Sequence, residues 1–92
     1  MNTTRTTIGD VLGSPDTWPD YSYSGITLKP GMHGAWISMV AVYDGGLAIS
    51  TRGGAGGPTY SVFHIANHDL RKRTMRALRV GMAVDTACLL AI

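Results

Sequence analysis

The strongest constraint on the fold is a tight-turn sequence, Asp44-Gly45-Gly46, that separates two apolar runs. The run before it, Ala35–Tyr43, is the longest strand candidate in the chain, and Leu47–Thr51 after it is a returning strand. An Asp-Gly turn between apolar segments is the strongest short-range indication of a β-hairpin. Because Ala35–Tyr43 is apolar at both alternating sets of positions, we predict a central strand with two faces that need cover.

Alternation along this strand divides its large side chains between two faces: Trp36, Val40 and Val42 on one, Ile37, Met39 and Tyr43 on the other. A single helix covers only one face of a sheet. The second face then requires a partner subunit or the N-terminal segment. We therefore expect a homodimer.

Turn and cap residues predict four further elements: a short helix at Ile8–Leu12, strands at Tyr23–Lys29 and Thr59–Ala66, and a long helix from Asn67 to about Val80. The apolar tail Ala83–Ile92 is either a fifth strand or a helical extension. Its near-continuous apolarity favours a buried strand.

The predicted fold is therefore α+β. A four- or five-stranded antiparallel meander carries the long helix of the C-terminal half on one face, with a short N-terminal helix beside it. The chain of 92 residues is one domain, 1–92, in which we expect residues 1–7 to fray.

Positive charge is concentrated on the predicted long helix. Between Asn67 and Met82 there are five cations and one acid, whereas the rest of the chain has three cations and five acids. No glutamate occurs in the sequence, so the helix lacks the usual Glu–Lys pairs four residues apart. On a helical wheel the cations lie away from the apolar side. They are Arg71, Lys72, Arg73, Arg76 and Arg79.

An unbalanced stripe of this kind indicates a docking surface for an anionic partner, since arginine suits phosphate and carboxylate groups. The partner we predict is a larger protein or nucleoprotein complex with an anionic surface. Direct nucleic-acid binding by the same helix is the alternative, and it predicts affinity that falls steeply with salt. If the stripe binds no partner, it is a solvated surface that keeps the chain in solution.

A glycine-rich loop, Arg52-Gly53-Gly54-Ala55-Gly56-Gly57-Pro58, is a second candidate site. Backbone N–H groups of glycines can approach an anion closely, and Arg52 would neutralise its charge. The loop lacks the Gly-Lys-Ser/Thr ending of a phosphate-binding P-loop and is followed by a strand. It is therefore either a site for a phosphorylated small molecule or a flexible connection.

Signatures of other chemistry are weak. His33, His64 and His68 do not have the spacing of a metal site, and Cys88 lies in the apolar tail as a small hydrophobic residue. No nucleophile elbow or paired carboxylates appear. We expect no enzymatic activity, no cofactor and no metal. The apolar runs are too short to cross a membrane and the start is not a secretory signal, so we expect a cytoplasmic protein.

This profile combines a small α+β core, one charged face and no catalytic constellation. It resembles the small inhibitors and adaptors encoded by phages and mobile elements, including anti-CRISPR proteins. The resemblance is one of profile and rests on no shared motif. It implies a non-enzymatic inhibitor that binds a larger complex.

Overall fold

The computed structural model describes residues 6–21, 27–28, 34–54 and 57–92. Its helices are α1 (Ile8–Leu12), α2 (His68–Ala77) and α3 (Val84–Leu89), with a 3-10 turn at Pro15–Thr17. Its strands are β1 (Pro19–Asp20), β2 (Thr27–Leu28), β3 (Trp36–Tyr43), β4 (Gly46–Arg52) and β5 (Thr59–His64). The α+β class is confirmed. In the described residues, however, the main antiparallel sheet has three strands, in the order β3-β4-β5, rather than four or five.

The β3–β4 hairpin closely matches the sequence prediction. Tyr43 lies opposite Gly46, and the two are joined by Asp44 and Gly45. Gly45 has a φ of 84°, in the left-handed region that glycine adopts without a steric penalty. The turn therefore fixes the register at this end of the sheet.

A β-bulge at the other end reverses the predicted facing of Trp36. The register of β3 against β4 shifts between Ile37 and Met39, which leaves Ser38 as an extra residue. One inserted residue exchanges the two faces for everything on one side of it. Ile37 therefore shares the buried face with Val40, whereas Trp36 lies 41% exposed on the same face as Met39. The prediction that Trp36 shares a face with Val40 is wrong for this reason.

The core lies on one face of the sheet, which we call the inner face. Leu47 and Ile49 of the central strand point into it and are fully buried. Trp18 covers the sheet as expected: its ring meets Phe63 edge-on at 5.1 Å, and its Nε1 donates to the Gly13 carbonyl at 2.9 Å. Side chains from all three helices join the same apolar cluster. The opposite face we call the outer face.

A short antiparallel ladder of β1 and β2 lies at the β5 edge of the sheet. The N–H of Tyr21 donates to the carbonyl of Tyr60 at 2.7 Å, and the buried Asp20 accepts from the N–H of Tyr60 at 3.1 Å. The predicted strand Tyr23–Lys29 is therefore Thr27–Leu28 in the described residues, and it pairs with β1 rather than joining the main meander. Pro30-Gly31, a sequence typical of a type II turn, lies outside the described residues.

α2 is shorter than the predicted long helix and ends at Ala77, not near Val80. The chain beyond it is bound to the edge of β3. Gly81 donates to the Ile37 carbonyl at 2.7 Å, and the Met82 carbonyl accepts from the Ile37 N–H at 2.8 Å. The helix stops because the chain must unwind to form these edge hydrogen bonds.

The tail prediction of a strand over Ala83–Ile92 is wrong, since most of this segment is the helix α3. Val84 and Ala87 are fully buried and Cys88 is half-buried, whereas Asp85 is exposed. Buried positions three and four apart are the helical pattern. α3 packs against α1 and completes the inner layer.

α1 is confirmed at its predicted bounds. The Thr7 hydroxyl oxygen accepts from the Asp10 N–H at 3.1 Å, and the Asp10 carboxylate accepts from the Thr7 N–H at 2.9 Å. This reciprocal cap satisfies two N–H groups at the start of the helix. Thr6 and Thr7, which we expected to fray, are instead held by the C-terminus: the Thr6 carbonyl accepts from the Ile92 N–H at 2.9 Å.

Candidate binding surfaces

The outward side of α2 carries an exposed basic surface, as the helical wheel predicted. Only Thr74 of this helix is fully buried, and its hydroxyl donates to the Leu70 carbonyl at 2.8 Å. We define the basic face as the exposed side chains of Lys72, Arg73, Arg76 and Arg79. It lies on the side of α2 away from the sheet, because α2 packs on the inner face.

Arg71, the fifth predicted cation, makes its contacts within the fold rather than pointing to solvent. Its side chain is half-buried, and one guanidinium nitrogen donates to the Ile65 carbonyl at 2.8 Å. The other terminal nitrogen lies 2.9 Å from Nδ1 of His68. Nε of Arg71 is buried and has no hydrogen-bond partner among the described residues. Arg71 therefore fastens the end of β5 to the start of α2.

Two members of the basic face are partly engaged. Nε of Arg73 lies 3.1 Å from a carboxylate oxygen of Asp69, four residues earlier, and both side chains are largely exposed. The Arg79 guanidinium donates to the carbonyls of Arg76 and Leu78, and so satisfies acceptors at the C-terminal end of the helix. Such exposed pairs are worth at most about 1 kcal/mol and break readily in favour of a partner.

Lys72 and Arg76 are the cations most available for binding. In the part of the chain that the structure describes, neither side chain makes a hydrogen bond or an ion pair. Asp20, an acid that could neutralise the helix if it lay beside it, is buried at the β5 edge, where it accepts a hydrogen bond from the N–H of Tyr60. The positive charge of the basic face is therefore directed to solvent.

The glycine loop lies against Trp36. Gly53 has a φ of 85°, and a Cβ there would be 2.7 Å from the indole nitrogen of Trp36. The N–H of Gly57 is used within the loop, where it donates to the Gly54 carbonyl at 3.0 Å. Gly56 lies outside the described residues. In its described residues, the loop therefore places a flat aromatic ring beside Arg52.

An open groove of about 520 Å³ lies at this end of the outer face, within the size range of small-ligand sites. It is lined by Trp36, Ser38, Met39, Ser50, Thr51, Arg52, Pro58 and Thr59. Sequence reasoning missed the contribution of Trp36. The unbroken hairpin register would place Ile37 opposite Arg52, and only the bulge brings Trp36 to that position.

Beyond this groove, the outer face of β4 carries the small residues Gly46, Ala48 and Ser50, of which Gly46 and Ala48 are buried. The ring of Tyr43 lies against Gly46. The register places larger side chains from β3 and β5 on either side of this row: Met39 and Tyr43, and Tyr60, Val62 and His64. Trp36, Met39, Tyr43 and Tyr60 are each more than a third exposed.

The histidines do not converge. The ring of His64 meets that of Tyr43 edge-on at 6.4 Å, while His68 lies beside Arg71. His33 lies outside the described residues. Within the described ranges, no three side chains of the metal-ligating types come together.

Cys88 is half-buried between α3 and α1. Burial, and then the nearby carboxylate of Asp85, raise the pKa of its thiol from 9.0 to about 11. A reactive thiol requires the opposite shift. Cys88 therefore packs as a small apolar residue, as its sequence context indicated.

Comparison of the chain with protein-family models, curated proteins and solved structures finds no match. Function is therefore argued from the geometry. In the described ranges, no helix has both the length and the apolarity needed to span a bilayer.

Proposed function

We propose that this is a non-enzymatic binding protein that docks the basic face of α2 on an anionic surface of a larger protein or nucleoprotein complex, as an inhibitor or modulator of it. The observation that carries the proposal is that Lys72 and Arg76 are exposed, one helical turn apart, with no partner in the described chain. Side chains four apart on a helix lie side by side, so the two charges form one patch.

The charge of this patch acts mainly on association. Individual exposed ion pairs contribute little free energy, but a patch of one sign steers an oppositely charged partner and raises the association rate. Arg73 and Arg79 extend the patch once their weak internal contacts are exchanged for the partner. The packing of α2 on the inner face fixes the backbone positions from which the cations extend, so no element has to fold when a partner binds.

The test is elution from an immobilised polyanion, heparin, with increasing salt. The reversal Lys72→Glu with Arg76→Glu should elute at clearly lower salt than the natural sequence. A control with the same change in net charge combines Ser14→Glu, Thr86→Glu, Leu89→Glu and Ala91→Glu, all at exposed positions outside α2. If the control lowers the elution salt as much as the reversal does, total charge rather than the basic face governs binding, and the proposal fails.

Direct binding of nucleic acid by the same residues is distinguished from a protein partner by using labelled single- and double-stranded oligonucleotides in solution. Binding that saturates and weakens steeply with salt, and that is lost in the reversal, would place the function with nucleic acid. Binding to heparin without binding to oligonucleotides would favour an acidic protein surface.

A second candidate function rests on the groove beside Trp36. An exposed indole next to an arginine suits a ligand with a flat ring and a phosphate, since the ring stacks and the guanidinium pairs with the phosphate. A ligand at 100 times its dissociation constant adds about 2.7 kcal/mol of stability. A thermal-shift panel of nucleotides should then contain a stabilising compound whose effect is lost in Trp36→Leu and Arg52→Gln but kept in Arg76→Gln. If no nucleotide stabilises the natural sequence, the groove is not such a site.

A further inference from the structure

The outer edge of β3 is open over part of its length. At the start of the strand, the chain at Gly81–Ala83 covers the edge through hydrogen bonds to Ile37 and a bridge to Trp36. Beyond the bulge, from Met39 to Tyr43, no described residue pairs with this edge. Within the described residues, β3 is therefore an edge strand whose second half has backbone groups without a strand partner.

The pattern of the antiparallel ladder shows which groups these are. Tyr43 and Gly46 close the two-residue turn as a hydrogen-bonded pair, and such pairs alternate along the ladder. The N–H and C=O of Val40 and Val42 consequently point away from β4. Ile37, on the far side of the bulge, uses the same outward direction for its two bonds to the chain at Gly81 and Met82.

The bulge and the chain at Gly81–Ala83 protect the first part of β3, but the open segment, Met39-Val40-Ala41-Val42-Tyr43, lacks the side-chain features that keep natural edge strands apart. It contains no charge, no proline and no inward-pointing polar residue. Val42 is oriented to the inner face by its pairing with the buried Leu47, yet it is 48% exposed, so its own subunit does not cover it. An apolar residue left bare beside unpaired backbone groups indicates that another strand lies there.

We infer that the open edge of β3 pairs with the same edge of a second copy of the chain, in antiparallel orientation about a two-fold axis at Ala41. This register matches Val40 with the partner's Val42, and Met39 with the partner's Tyr43. The valine pairs exchange backbone hydrogen bonds across the edge and place their side chains together on the inner face, while Met39 and Tyr43 lie opposite each other on the outer face. A symmetric interface of this kind is self-complementary, because the two-fold axis repeats each contact between two different residues.

Pairing turns the two three-stranded sheets into one of six strands. The two-fold axis runs perpendicular to the sheet, so both inner faces, and both α2 helices, lie on the same side. The paired segment stops at Met39 because the chain at Gly81–Ala83 already covers the edge at Trp36 and Ile37, on the other side of the bulge. The inference does not depend on the proposed function. If both hold, the dimer presents two basic faces toward one partner surface, which raises avidity.

The first test is sedimentation over protein concentrations from about 1 to about 200 μM, a range suited to a small interface. The natural sequence should form a dimer, and Val42→Lys should shift it to monomer by placing a charge on the edge. Val80→Lys is the matched control, since Val80 is 65% exposed and lies outside β3. It should leave the dimer intact. A monomer throughout the range, or a dimer insensitive to Val42→Lys, would overturn the inference.

The second test fixes the register. In a Cys88→Ser background, Ala41→Cys places two thiols across a pair without backbone hydrogen bonds, where Cα atoms are about 4.5 Å apart and within reach of a disulfide. Copper–phenanthroline oxidation should then give a covalent dimer within minutes. Leu89→Cys in the same background is the control, because Leu89 is 80% exposed on α3. Equal cross-linking of the two variants, or none at position 41, would contradict this register.

Discussion

Replacement of Arg71 by methionine separates its structural role from the binding role that its position in the sequence suggests. Methionine retains an apolar stem but cannot donate hydrogen bonds. It therefore removes the 2.8 Å bond to the Ile65 carbonyl and the contact with His68. A hydrogen bond from a charged donor is worth about 1.5–3 kcal/mol when its loss leaves a carbonyl unpaired.

Part of this loss is offset. Nε of Arg71 is buried without a partner, and removing it recovers about 1 kcal/mol, near the lower limit for an unsatisfied group because the side chain is only half-buried. The net expectation is a destabilisation of about 0.5–2 kcal/mol. For a domain of this size that corresponds to a fall in Tm of about 2–15 °C.

The assay is thermal unfolding followed by circular dichroism, with Arg76→Met as the matched control on the same helix. Arg76 is exposed and its side chain is unbonded in the described chain, so this control should change stability by less than about 0.5 kcal/mol. Equal Tm values for the two variants would refute the assignment of Arg71 to the fold. Such a result would mean that the Arg71 side chain is available for binding together with the basic face.

Three further predictions concern the core and the helix pair. Ile49→Ala, at a fully buried position of the central strand, should cost about 2–5 kcal/mol in denaturant unfolding. Gly9→Ala should lower Tm despite the roughly 1 kcal/mol helix preference for alanine, because its Cβ would lie 2.9 Å from the Cys88 carbonyl oxygen. An unchanged or higher Tm would show that α1 and α3 separate freely. The pKa of Cys88 near 11 predicts alkylation at pH 8 about 100-fold slower than in the unfolded chain. Since the unfolded thiol loses its proton near pH 9 and the native one near pH 11, stability should fall as pH rises between these values, and equal labelling rates would contradict the shift.

Local sequence signals account for the parts of the fold that were predicted well. The Asp44-Gly45 turn and the cap of α1 at Thr7 act over three or four residues, so the residues that decide them are adjacent in the sequence. Phe63 of β5 and Ile65, just past its end, both belong to the apolar cluster, where alternation along the predicted strand Thr59–Ala66 places them.

Contacts between residues distant in sequence account for the parts of the fold that were not predicted correctly. The bulge at Ser38 accompanies the binding of Ile37 to the chain at Gly81 and Met82, more than 40 positions later. A short apolar run such as the tail does not distinguish a buried strand from a helix by apolarity alone. Its buried positions at Val84, Ala87 and Cys88 have helical spacing, and this signal was present in the sequence.

The candidate sites divide in the same way. The basic stripe was visible from composition, because charge on one helix is a local property. The sequence did not show that Arg71 lies outside that stripe, because this depends on a hydrogen bond to the Ile65 carbonyl, which lies at the end of another element. The approach of Trp36 to Arg52 depends on the bulge, and so the groove between them was also beyond sequence reasoning.

The measurement that tests the basic face most directly is the salt dependence of binding to a labelled DNA duplex, used as a polyanion of known charge density. The affinity is determined for the natural sequence and for Lys72→Gln with Arg76→Gln, and its logarithm is plotted against the logarithm of salt concentration. Each phosphate contact contributes about 0.9 to the slope, so loss of two contacts should reduce it by about 2. A slope that is the same in both proteins would show that Lys72 and Arg76 do not meet the polyanion, and would contradict the proposed docking surface.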